Sequence, residues 1–103
     1  MFLGDDDIFD VLDELKDVQM LCFNIGLRLK LMPSTIDAIR RENLDHTQSM
    51  SKVIESWLIK KLYNVERFGE PCWQTLVEAV ESPAGGNHKA LAIKIAKRHP
   101  PNK

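Results

Sequence analysis

Cysteine is scarce in this chain: Cys22 and Cys72 are the only two among 103 residues. Two thiols do not make a disulfide framework, and with no export signal they read as reduced residues packed as small hydrophobes. The N-terminal Met-Phe-Leu-Gly-Asp-Asp-Asp is acidic where a secretion signal would be basic. A cytoplasmic location is therefore expected. No apolar run approaches a membrane span, so membrane insertion is not expected. Glycine is sparse too, and Gly85-Gly86 is a turn and not a loop that cradles phosphate. No long stretch alternates with period two and no hairpin signal occurs, which argues against a sheet. His46, His88 and His99 are scattered, none at metal-ligand spacing with either cysteine. There is no Cys-x-x-Cys pair and no nucleophile elbow. The chain is accordingly not read as an enzyme, and no cofactor, metal or small-molecule substrate is expected.

What is present fits an ordinary globular domain: 44% hydrophobic and 28% charged residues. The length suits one domain over residues 1–103, with a core bundle from about residue 5 to 99, expected as a module of a larger protein. The net charge of −1 hides an asymmetry. Residues 1–17 carry Asp5, Asp6, Asp7, Asp10, Asp13, Glu14 and Asp17 against Lys16 alone. Residues 89–103 carry Lys89, Lys94, Lys97, Arg98 and Lys103 with no acid.

Helical periodicity organises nearly the whole chain. Asp5 to Asp7 supply an acidic helix start. Ile8, Val11, Leu12 and Leu15 then face inward, with Asp10, Asp13 and Glu14 on the wet side. A second stripe runs through Val18, Leu21, Cys22, Ile25 and Leu29, with a bend or break between Lys16 and Gln19. Gly26 inside this stripe costs about 1 kcal/mol relative to alanine, a sign of close approach by another helix. Ser34 and Asp37 have the spacing of a capping box. Ile36 and Ile39 follow on the core side, with Ala38 a further candidate, and Asn43 marks the end. Asp45 is the next cap, with Gln48 in the reciprocal position. The longest stripe then passes through Met50, Val53, Ile54, Trp57 and Leu58 to Lys61 or Leu62. The polar His46–Gln48 segment could form a short turn of its own. Residues 63–70 show no period and read as a loop. Pro71 opens a helix whose Trp73, Leu76, Val77 and Val80 share one face. Ser82-Pro83 stops it. Asn87 caps a last helix carrying Leu91, Ala92, Ile95 and His99, the last a packing residue near the helix end. The expectation is six helices, all-α, with the first kinked or split. Trp57 and Trp73 are both assigned to the core.

Two uses of such a bundle can be weighed. Opposite charges on different helices suit electrostatic pairing between proteins. The alternative is a helical nucleic-acid-binding domain using Lys89 to Arg98. Against it, the chain is slightly acidic and no aromatic residue interleaves with those lysines.

The run Trp73-x-x-Leu76-Val77-Glu78-Ala79-Val80-x-Ser82-Pro83-x-x-Gly86, followed by Ala90-Leu91-Ala92-x-x-Ile95, resembles helices five and six of the death domain, a family of interaction modules. Asn24-Ile25-Gly26-Leu27-x-Leu29-x-Leu31 and Ser34-Thr35-Ile36-x-x-Ile39 resemble its first-to-second helix passage, and Val53-Ile54-x-x-Trp57-Leu58 its fourth helix. The order holds over residues 8–99. Cys22 stands where the family often has tryptophan, Lys30 where it often has glycine, and the loop at 63–70 is longer than usual. The resemblance implies an antiparallel Greek-key bundle without enzymatic activity. It would bind other death domains, its own copies or related ones, in apoptotic or innate-immune signalling. In that family one contact sets helices one and four against two and three. Here this implies Asp10, Asp13, Lys52, Glu55 and Lys60 on one side, and Asp37, Arg40 and Arg41 on the other. A second contact uses the corner between helices five and six, here Ser82, Gly85, Asn87 and His88. A third joins helix three to nearby corner loops.

Overall fold

The computed structural model describes residues 2–81 and 88–99, and their regular structure is helical throughout. The helix from His46 to Leu58 (α4) lies at the centre, packed against the helices of both preceding segments. It starts where the cap was expected: Asp45 Oδ1 accepts the Gln48 N–H at 2.8 Å. His46–Gln48 is its first turn and not a separate one. Thirteen residues then bury Met50, Val53, Ile54, Trp57 and Leu58, with Trp57 only 1% exposed. The helix stops at Leu58. Lys61, of positive φ, lies beyond it and is exposed, while Leu62 packs partly on the core.

The first helical segment is split, as its stripe implied. Ile8–Glu14 (α1) and Cys22–Arg28 (α2) flank 3-10 turns at Lys16–Leu21, where Val18 leaves helical geometry at φ −126° and ψ 27°. Val11, Leu15, Val18, Cys22, Ile25 and Leu29 stay buried through the bend. Thr47 donates from its hydroxyl to Gln19 Oε1 at 2.8 Å, tying the bend to the first turn of α4. The acids ahead of α1 form a 3-10 turn, Asp5–Asp7. Asp7 bonds backward, to the Gly4 N–H at 2.8 Å, and does not cap α1. Leu3 is buried, and its N–H donates to the Pro71 carbonyl at 2.7 Å.

Pro33–Arg41 (α3) begins one residue earlier than the expected Ser34–Asp37 box. Proline fits the first helical position because no N–H is needed there. Met32 becomes the cap residue, no side chain caps the helix, and Ser34 and Asp37 stand exposed. Ile36 and Ile39 are buried, whereas Ala38 is exposed. Gly26 does mark a close approach. A β-carbon there would sit 2.7 Å from Ile36 Cδ1 and 3.0 Å from Val53 Cγ1, so α3 and α4 both press on α2.

Residues 63–70 are not simply a loop. Val65–Phe68 (α5) forms one helical turn, capped by Asn64, whose Oδ1 accepts the Arg67 N–H at 3.1 Å. Gly69, at φ 83°, ends it. Counting α1 and α2 as one kinked helix gives six among the described residues, but α5 supplies the sixth.

Trp73–Glu81 (α6) packs chiefly on Lys89–Arg98 (α7). Leu76, Val77 and Val80 are buried as expected. Trp73 is not a full core residue. It is half-buried, its ring stacked on His99 at 3.7 Å between centres and 7° between planes. His99 in turn bonds Glu14 Oε2 through Nε2 at 2.8 Å, and Arg98 reaches Glu14 Oε1 at 2.5 Å. Glu14 is therefore buried and not on the wet side, its side chain 5% exposed. Arg98 is 59% exposed, so solvent moderates that pair. This cluster joins α1 to α7, and part of the acid–base asymmetry of the chain is satisfied within the molecule.

Candidate interaction surface

Once the core takes its apolar stripes, the charged residues of α1, α3 and α4 other than Glu14 remain outside. Asp10 and Asp13 lie exposed on α1, with Asp13 3.8 Å from Lys16. Asp37, Arg40 and Arg41 lie exposed on α3. The Arg40 guanidinium sits 4.9 Å from the centre of the Phe23 ring, a cation–π contact that restrains it. On α4, Lys52 pairs with Glu42 at 3.7 Å, and Glu55 with Lys60 at 3.5 Å. These are exposed pairs and contribute about 0–1 kcal/mol each.

The structure brings some of these residues together. Lys52 and Glu55 form a ridge between two grooves. One, of about 380 Å³, runs along α1 and has an apolar wall of Ile8, Phe9, Leu12 and Leu44. The other, of about 300 Å³, runs along α3 past Ser34, Ala38 and Ile39 to Lys60. Asp10, Asp13, Asp37, Arg40 and Arg41 line neither. The Lys52–Glu42 pair also links the two sides that the resemblance sets against each other. His88 is half-buried just ahead of α7. Ser82, Gly85 and Asn87, the rest of the expected corner and the expected cap of α7, lie outside the described residues.

Nothing among family models, curated proteins or solved structures significantly matches this chain. The surface therefore speaks through its own geometry. Phe9 is the residue that stripe reasoning passed over. It is 80% exposed, and its signal in the sequence is an aromatic ring beside, not on, the Ile8–Val11–Leu12–Leu15 face. The thiols offer less. Cys22 is buried, and desolvation raises its pKa, which lowers its reactivity. Cys72 is half-buried, its sulfur 3.2 Å from the Thr75 hydroxyl. Tyr63 is buried and donates from its hydroxyl to the Gly69 carbonyl at 2.7 Å. Burial, helped by the charge of Glu70, pushes its pKa up to about 12. Among the described residues, no group of three or more His, Cys, Asp and Glu side chains is placed to hold a metal ion. No helix among them is long and apolar enough to cross a membrane.

Proposed function

We propose that this chain is a non-enzymatic protein–protein interaction module of the death-domain kind, a Greek-key bundle that assembles with other death domains inside the cell. The observation that carries the reading is the division of labour on α3 and α4. Each buries one face in the common core and leaves charges of both signs outside: Asp37, Arg40 and Arg41 on one, Lys52 and Glu55 on the other. Opposite charges so placed steer partners and set register, and weak single contacts gain strength by repeated engagement. In this reading α1 and α2 together are the first helix of the bundle, and its third is reduced to the turn between Arg41 and His46. Signalling of the apoptotic or innate-immune type is the role such a module serves.

Charge reversal tests this directly. R40E/R41E should abolish binding to a partner death domain in a pull-down with size measurement. Its melting temperature should stay within a degree or two of the parent, since both residues are exposed. Unchanged binding would remove the α3 patch from the reading. Nucleic-acid binding through α7 is a second reading, supported by exposed Lys89, Lys94 and Lys97, with Arg98 engaged by Glu14. It requires an affinity for DNA or RNA that falls steeply with salt. Absence of binding at low salt would end it.

A further inference from the structure

A third face lies where the chain departs most from the family it resembles. Leu31 and Tyr63 form an isolated antiparallel bridge, which brings the α2–α3 corner against residues 63–70. The Asn64 cap, the Tyr63–Gly69 bond and a Lys61–Glu70 ion pair at 2.5 Å hold that segment in shape. Their joint effect is to present Phe68, 40% exposed, beside two cations. Lys30 Nζ lies 5.7 Å and the Arg67 guanidinium 5.2 Å from the ring centre. Beside the ring is a groove of about 290 Å³ lined by Arg28, Lys30, Phe68, Thr75, Glu78 and Ala79. Its carboxylate, Glu78, is bonded by the Gln74 amide at 2.8 Å. Glu66 is exposed on α5 but lines none of the three grooves. Arg28, Lys30 and Arg67 form no ion pair among the described residues. Cations beside an aromatic wall, in a groove, fit a short acidic segment that carries its own apolar side chain.

The chain carries such a segment. Residues 2–6 offer Phe2, 66% exposed, and the exposed carboxylates Asp5 and Asp6. Neither carboxylate forms an ion pair among the described residues. Buried Leu3, bonded to the Pro71 carbonyl, anchors the segment to its own domain, so it is presented and not left loose. We infer that the basic corner of Arg28, Lys30, Arg67 and Phe68 receives the Phe2–Asp6 segment of a second copy of this chain. The two patches differ, so the contact is heterologous, and each copy has one of each to offer. Association then extends from copy to copy. This site uses none of the α3 or α4 charges and stands independently of the reading above.

Sedimentation velocity on the full chain and two variant pairs, R28E/K30E and D5K/D6K, tests it. The parent should sediment faster as concentration rises at low salt. That rise should vanish in roughly 1 M salt, where the Debye length is about 3 Å. Either variant pair alone should associate at least tenfold more weakly. Mixed in equal amounts they should recover association, because each retains one intact patch and the two reversed patches are complementary to each other. Lys30→Gly guards against a folding artefact. It relieves a side chain held at φ 73°, so it should melt no lower than the parent while weakening association several-fold. R40E/R41E should associate as the parent does. A parent that stays monomeric at low salt overturns the inference, as does a variant pair that associates like the parent or a mixture that recovers nothing. Association lost in R40E/R41E but kept in both variant pairs would transfer it to the α3 surface.

Discussion

In both α4 and α5 a polar side chain just outside the helix accepts the backbone N–H three residues on. Asp45 does so from Gln48 at 2.8 Å, and Asn64 from Arg67 at 3.1 Å. From that common start they diverge. α4 runs thirteen residues and buries seven of them, whereas α5 runs four and buries none. A cap sets where a helix begins, but burial decides how much the domain depends on it. α4 is held by the core it helps to make. α5 is held by its ends, through Asn64, Gly69 and the Tyr63 hydroxyl, and serves to place Arg67 and Phe68 on the surface.

The comparison can be broken first at Trp57. Trp57→Ala should cost about 3–5 kcal/mol in chemical denaturation, a large share of the roughly 5–15 kcal/mol a domain has. A loss below about 1 kcal/mol would mean that α4 is not central. Gly26→Ala sets two effects against each other at the contact of α2 with α3 and α4. Alanine gains about 1 kcal/mol of helix propensity, but overpacking costs about 1–3 kcal/mol. With Ile36 Cδ1 2.7 Å from the new methyl, the expected result is a net loss of about 1 kcal/mol. A more stable variant would show that Ile36 and Val53 yield easily.

The caps sharpen the contrast at lower energy. Asp45→Ala should cost about 1 kcal/mol of global stability. Asn64→Ala should cost less than about 0.5 kcal/mol globally, because its helix buries nothing, yet it should speed amide exchange over residues 65–69. Equal global losses would give α5 a share in the core. Tyr63 gives the smallest effect at neutral pH. It is the only tyrosine, so phenolate absorbance reads it alone. It should titrate near pH 12, above its ordinary value of 10.0. The folded state favours the protonated phenol. The corresponding stability is fully present below about pH 10 and is lost as pH rises towards 12. Tyr63→Phe should lack that alkaline loss, and titration near 10 would mean the phenol is not held.

How much of this was legible in the sequence depended on the distance between cause and effect. The stripe of α4 and its Asp45 cap lie within one segment, so local reasoning reached them. The split near Lys16–Gln19 and the tight packing at Gly26 were legible for the same reason. α5 was not, because four residues are too few to display a period. The Ser34–Asp37 box failed through competition, since Pro33 already fills the first helical position. Glu14 resembles its exposed neighbour Asp13 in every local respect. Its burial depends on Arg98 and His99, 84 and 85 residues further on. Trp73 follows the same logic, half withdrawn from the core to stack on His99. At the surface, the sequence marks which residues are charged and helical periodicity shows that they face outward. That Lys52 and Glu55 stand between two grooves follows from how α1 and α3 flank α4, which no single stripe records.

The stack of Trp73 on His99 also gives the molecule two separate optical reporters. There are two tryptophans, and their surroundings differ. Trp57 sits in a dry interior and should emit at short wavelength until that interior opens. Trp73 lies flat against an imidazole ring 3.7 Å away, a close contact through which excited-state energy can be lost. Its emission should be dim while the last turn of α7 is seated and should brighten when that turn lifts. A brightening that precedes the red shift of Trp57 would time the release of one helix against the melting of the whole.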